Sequence, residues 1–238
     1  MMDNKCGATH IDFQSKFGFT LAEGATHVGM LPTKAKLAFT LAEVLITLGI
    51  IGVVAALTIP SLMTKYHRMT VETKLKKFYS TMNQAIKLSE EDNDGFPPLD
   101  SSTVKDNDNV ELINDYYSKY IVKYMSGVTL NKVTSFGVRV LLSDGSGFTS
   151  YLQAQGITGA PTLWVMYCLN ADERYCKQNV YDGRNQFLFY IDTEKAHMET
   201  YFGGKSGCYN ANEGLRHTCA GLIKQNGWKI PDDYPWIK

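Results

Sequence analysis

From Phe39 to Ile59 the chain runs 21 residues with a single ionisable side chain, Glu43. As an α-helix rising about 1.5 Å per residue, such a run reaches roughly 31 Å, close to the ~30 Å hydrocarbon core of a bilayer. The pattern predicts a membrane helix over 39–62. Lys34 and Lys36 precede it while Lys65, Arg68 and Lys74 follow, so the positive-inside rule chooses no orientation. Gly49 and Gly52 permit close helix approach, and Pro60 removes a backbone donor and invites a kink.

Past Pro60 the period stays helical but becomes one-sided. Val71, Leu75, Phe78, Met82, Ala85 and Ser89 recur at three- and four-residue steps among Lys74, Lys76, Lys77 and Lys87. This predicts an amphipathic continuation over 63–92, its stripe laid on a sheet and its lysines solvated. The polar segment from Ser89 to Pro98 ends it. Asn109 to Met125 is a second helix candidate, with Leu112, Ile113, Tyr116, Tyr120 and Tyr124 on one side. Then the period changes. Phe136–Leu142 and Gly147–Leu152 flank the Gly-containing turn Ser143-Asp144-Gly145-Ser146 and read as a hairpin. Thr162–Leu169 and Gln186–Asp192 are further β-type runs, which together predict a four-stranded antiparallel sheet. The fold class is therefore α+β: a long N-terminal helix packed on a small antiparallel sheet in an exported domain over 93–238. The aromatic, Pro-rich stretch from Cys219 to Trp236 reads as a tail tied down over the sheet or as a contact surface.

Charge is balanced at 24 basic and 24 acidic residues, and at 20 against 21 beyond residue 38. Nothing in that balance recommends nucleic acid as a partner. Cys6 stands apart, while Cys168, Cys176, Cys208 and Cys219 lie together in the C-terminal half. An even number beyond an apolar span fits an oxidising compartment and disulfides. Of the three possible pairings, 168–176 with 208–219 is preferred, because each encloses a short polar loop. Free thiols and a zinc site are the rivals, although the spacings match no common zinc pattern. Glu90-x-Asp92-x-Asp94-Gly95 is similar to the opening of a calcium loop. Its first ligand is Glu, however, and its twelfth position is Ser101, so it reads as a solvated loop, as does 106–108. The five histidines (10, 27, 67, 197, 217) are scattered, and no phosphate loop, nucleophile elbow or His-Glu-x-x-His occurs. No catalytic residue, metal site or cofactor is expected, and the chain does not read as an enzyme.

The charge inside the apolar run remains. A carboxylate at mid-bilayer costs about 2.5–3.5 kcal/mol on insertion scales and less near the interface, which marks Glu43 as a functional candidate. Ala38-Phe39-Thr40-Leu41-Ala42-Glu43 followed by an apolar helix resembles the processing site of type IV prepilins and type II secretion pseudopilins. The resemblance covers about 25 residues, with Ala38 in the place of that family's usual Gly. It implies that a prepilin peptidase cuts Ala38–Phe39 and methylates the new N-terminus on Phe39. It further implies that Leu41 and Glu43 serve processing and assembly, and that Pro60 marks a stretch able to loosen during assembly. The implied partners are that peptidase, other pilin or pseudopilin subunits, an inner-membrane assembly platform and the lipid bilayer. The implied location is a bacterial inner membrane, crossed once with the C-terminal domain outside, and then a periplasmic or cell-surface filament.

Residues 1–38 are read as a leader and set aside from the fold. Within them, Lys16–Glu23 repeats Lys36–Glu43 but precedes no apolar run, and Met30 offers an alternative start. An ordinary secretory signal has a shorter apolar core of about 7–15 residues. A plain anchor leaves Glu43 unexplained. Asp182-Gly183-Arg184-Asn185-Gln186-Phe187 also resembles a pseudopilin-like segment in which a Gly-rich turn leads into a strand. Two functions are expected: a filament subunit assembled through its apolar helix, or an unpolymerised membrane-anchored binding module using loops 90–108 or 170–186.

Overall fold

A computed structural model describes residues 39–98, 110–134, 137–153 and 162–237. The leader with Ala38, the repeated motif, Ser101 and segment 106–108 lie outside the described residues.

One helix, α1 (Leu41–Asp92), takes in both the apolar run and the amphipathic segment. It is the one described helix long and apolar enough to cross a membrane, with a mean hydropathy of 2.3 in its apolar window. From Leu41 to Met63 its side chains are exposed, Ala55 being half-buried. The residues from Ile50 onward form a single compact unit. Within it, Val71, Leu75, Phe78, Met82, Ala85, Ile86 and Ser89 turn inward. That is the predicted stripe, with Ile86 added.

The stripe meets a six-stranded antiparallel sheet whose strands neighbour one another in chain order. They are β1 (Val128–Thr134), β2 (Gly137–Leu142), β3 (Gly147–Gln153), β4 (Thr162–Cys168), β5 (Gln186–Asp192) and β6 (His197–Thr200). Strands β2 to β5 are the four expected. β1 and β6 correct that count, adding one edge each. Tyr167 of β4 pairs with both Phe148 of β3 and Phe187 of β5. Phe78 of α1 stacks on Tyr167 at 4.1 Å between ring centroids and meets Phe148 and Phe189 at 5.6 Å each. Fully burying one such side chain contributes roughly 1.5–3 kcal/mol, so this aromatic knot fixes the helix on the sheet.

β4 is buried at every position. Leu163, Val165 and Tyr167 join the core shared with α1, while Trp164, Met166 and Cys168 join Leu188, Tyr190, Cys176 and Tyr181 in a second cluster. Two-sided burial explains why β4 reads as a continuous apolar run rather than an alternating one. Gly137 opens β2 at φ +154°, where a Cβ would lie 2.0 Å from the Ser150 carbonyl oxygen, so that position admits only glycine.

The second helix, α2 (Val110–Tyr120), is shorter than expected and gives way to a 3-10 turn at Val122–Tyr124. It buries Ile113, Tyr116 and Tyr117. Two short helices, α3 (Lys205–Cys208) and α4 (Cys219–Gln225), precede a tail that buries Ile230, Tyr234 and Ile237.

Polar contacts tie α1 to the rest of its unit. Asn83 accepts from the Met198 N–H at 2.8 Å and donates to the Met198 carbonyl at 3.3 Å, covering the β6 edge. Lys74 donates to the Asp144 and Leu169 carbonyls, and Lys77 lies 3.3 Å from the Asp144 carboxylate. Burial pushes the Asp144 carboxyl up, but bonds from Ser146 and Lys77 outweigh it and hold the group below its ordinary value.

Phe78→Ala should therefore destabilise the detergent-solubilised chain by about 3–5 kcal/mol in denaturant unfolding. Leu88→Ala, on the exposed side of the same helix, should stay within about 0.5 kcal/mol. The Asp144 contribution is present above the ordinary aspartate value of about 3.9 and is lost as pH falls through the lower folded value. Stability should thus decline below about pH 4, and Asp144→Asn should flatten that decline in a pH series of melts.

Candidate functional site

Glu43 is occupied at home. Thr40 precedes the first turn of α1, and the Glu43 carboxylate accepts from its N–H at 2.8 Å and its hydroxyl at 2.7 Å. The Thr40 hydroxyl in turn accepts from the Glu43 N–H at 3.3 Å. This reciprocal arrangement is a capping box, which satisfies donors that the first turn leaves open. Thr40-x-x-Glu43 spells the box in the sequence, a signal passed over in favour of the charge itself. Phe39 and Leu41 beside it are exposed.

Along the apolar run each hydroxyl is satisfied within the helix. Thr47 donates to the Val44 carbonyl, Thr58 to Val54, Ser61 to Thr58 and Thr64 to Pro60. A segment built this way presents no free hydroxyl to hydrocarbon. α1 continues through Pro60.

Where the helix meets the domain, Arg68 donates to the Ile230 and Pro231 carbonyls at 2.9 and 2.7 Å. One turn on, Glu72 accepts from the Ile230 N–H at 2.9 Å and the Lys229 ammonium at 2.8 Å. The tail is thus pinned to α1 as well as to the sheet.

The turn from Asp182 to Gln186 is a hub. One carboxylate oxygen of Asp182 accepts the N–H groups of Arg184, Asn185 and Gln186 at 2.7–2.8 Å. Asn185 and Gln186 reach the loop closed by the Cys168–Cys176 disulfide, bonding Asn170, Tyr175 and Lys177 backbone groups. On the other side, the Tyr234 hydroxyl donates to the Gly183 carbonyl and Arg216 donates to the Asp182 carbonyl. Arg216 also lies 3.3 Å over the Trp236 ring, whose N–H donates to the Cys208 carbonyl. Gly183, at φ +66°, leaves no room for a Cβ, which would lie 2.7 Å from the sulfur of Cys219 in the Cys208–Cys219 disulfide. The four C-terminal cysteines therefore form the two local pairs, and one five-residue turn joins both loops to the tail. Arg184 alone projects outward, its guanidinium without a hydrogen bond or ion pair among the described residues.

The histidines are dispersed. His197 meets the Tyr79 hydroxyl and Glu199 at 3.0 Å, with Lys224 on the same two partners. His217 packs between Tyr181 and Tyr201, and burial lowers its pKa. Glu90, Asp92 and Asp94 are exposed, Asp92 bonding the Tyr124 hydroxyl. Among the described residues, no three His, Cys, Asp or Glu side chains gather as a metal site would require.

What fold and site define is an α+β domain carried on a helix whose leading half is apolar and uncovered. The chain belongs to a family of unknown function, DUF6613, whose model matches residues 61–206 and 153–237. No curated protein and no solved structure matches it.

Asp182→Ala leaves three backbone donors without their acceptor and should cost about 1–3 kcal/mol in denaturant unfolding. Arg184→Ala, two residues away and outward-facing, should change stability by less than about 0.5 kcal/mol.

Proposed function

We propose that the protein is a structural subunit of a type IV pilus-like or type II secretion pseudopilus filament. In this reading it is processed at Ala38–Phe39 by a prepilin peptidase and assembled through its apolar helix. The observation that carries the reading is α1 itself: one helix with a bare apolar half and a second half locked into a disulfide-bonded domain. A bare run of Leu, Ile and Val is unstable in water and must be covered, by lipid before assembly and by sister helices after it.

The capping box refines the part played by Glu43. Cleavage places a new amine on Phe39, next to Thr40. A neighbouring subunit's amine about 4 Å from the Glu43 carboxylate attracts it by about 4 kcal/mol at an effective dielectric of 20. Desolvation and loss of the Thr40 bonds oppose that gain, so the net is small. Apolar packing supplies the cohesion and Glu43 sets the stagger. Leaving the capping box for a neighbour is favourable only where the neighbour's amine arrives in register.

Membrane-extracted protein should begin at Phe39 and weigh one methyl group more than the unmodified chain by intact mass. Glu43→Val should still insert into membrane but drop out of sheared filaments. An uncut Ala38–Phe39 bond in cells with active peptidase, or normal incorporation of Glu43→Val, would overturn the reading. A binding function kept by the uncut chain would then favour the anchored, unpolymerised module.

A further inference from the structure

Two grooves adjoin where α1 leaves its apolar run. One, of about 730 Å³, is bounded by Leu62, Met63, Thr64, Tyr66, His67 and Arg184. The other, of about 540 Å³, takes in His67, Thr70, Lys74, Asp182, Arg184 and Asn185 among its walls. Both volumes fall within the ~300–1,000 Å³ typical of small-molecule sites. They share His67 and Arg184, and together they form one channel with an apolar end and a polar end. On the helix its stripe is Met63, His67, Thr70 and Lys74, residues three and four apart.

The polar end carries two cations, Arg184 and Lys74, against one carboxylate, Asp182. The Arg184 guanidinium has no partner among the described residues. Lys74 donates to the Asp144 and Leu169 carbonyls, and its charge also acts on the Asp144 carboxylate. Asp182, in the wall of the same groove, has one oxygen committed to three backbone N–H groups. Burial, and then the adjacent Arg184 charge, push the His67 imidazole below its ordinary value, so it stands neutral and able to donate. The Arg184 guanidinium, with a donating imidazole beside it, is thus left to meet an anion.

The apolar end says which anion. Leu62 is three residues past Ile59, the last residue of the apolar run, and Leu62, Met63 and Tyr66 are exposed. A tyrosine just beyond a span sits at headgroup depth, and the unpaired Arg184 guanidinium lines the same groove as Tyr66. We infer that this channel holds an anionic membrane phospholipid, its phosphate at Arg184 and His67 and its chains along Leu62, Met63 and Tyr66. The inference rests on the reading of Phe39–Ile59 as a membrane span.

The test uses the full chain reconstituted in phosphatidylcholine vesicles carrying a small fraction of spin-labelled phosphatidylglycerol or spin-labelled phosphatidylcholine. Electron paramagnetic resonance then reports the motionally restricted fraction of each. The wild type should prefer phosphatidylglycerol about five-fold, which corresponds to ~1 kcal/mol for one cation near the surface. Arg184→Gln should bring the ratio near one. Lys87→Gln, twenty residues further along α1 than His67, should leave it unchanged. Equal association of both lipids with the wild type, or a preference that survives Arg184→Gln, overturns the site while leaving the span intact. Failure of the chain to float with plain phosphatidylcholine vesicles overturns the span, and the site with it. Crosslinking between chains bearing Met63→Cys, without a lipid preference, overturns the assignment in favour of a second copy.

Discussion

An α-helix keeps its backbone hydrogen bonds within itself, so it can pass from one solvent to another without changing structure. On the reading of Phe39–Ile59 as a membrane span, everything else in this protein depends on α1 using that property. Before Pro60 its exposed side chains are almost all apolar and call for apolar surroundings. After Val71 they are a sheet on one side and water on the other. A strand or loop in the same place would leave peptide groups unpaired at one end or the other, at several kcal/mol each in hydrocarbon. The sheet in turn depends on the helix. Phe78 is the common neighbour of Phe148, Tyr167 and Phe189, which come from three different strands.

The second constraint is the turn at Asp182. The domain has to hold two disulfide loops and an aromatic tail around the Cys168–Gln186 end of β4 and β5, and main-chain bonds at the Asp182 turn help to do so. Asp182 fixes the turn, Asn185 and Gln186 hold one loop, and the carbonyls of Asp182 and Gly183 hold the residues packed around the other. Each disulfide closes a short loop and contributes about 2–4 kcal/mol, largely by restricting the unfolded chain. The hub then decides where the closed loops sit. It also explains why Arg184 stands out: a turn whose neighbours on both sides face inward leaves one side chain free.

The parts legible in the sequence are those whose signal is local. The α1 stripe could be read because a three- and four-residue period held over nineteen residues, from Val71 to Ser89. β4 and β5 could be read because burial on both faces makes an unbroken apolar run, and β2–β3 because Asp144-Gly145 marks their turn. β1 was missed because Asn131 and Lys132 interrupt its pattern at an edge. β6 was missed because four residues, His197 to Thr200, are too few to show a period. α4 and the docking of the tail depend on partners far away in sequence, such as Tyr234 on Gly183, 51 residues apart. No window along the chain contains that information. The Thr40-x-x-Glu43 box is different. It is fully local, but a lone charge in an apolar run points as readily to a longer-range partner.

The capping box bears on the proposed assembly. A bare carboxylate in a membrane span carries a standing penalty, and a subunit waiting to assemble would carry it throughout. The box lowers the penalty by giving one oxygen two donors from Thr40 and by placing the charge at the positive end of the helix. In the proposed filament it would therefore stabilise the unassembled subunit and weaken the drive toward any single neighbour. A mismatched neighbour then offers Glu43 nothing better than what it already has. An in-register neighbour must offer a full charge at close range to displace the Thr40 bonds. On this view Thr40 sets the threshold for leaving the unassembled state and Glu43 sets the position at which it is crossed. In the proposed filament the two residues would act as a pair, and selectivity for register would come from the competition between them rather than from the attraction alone.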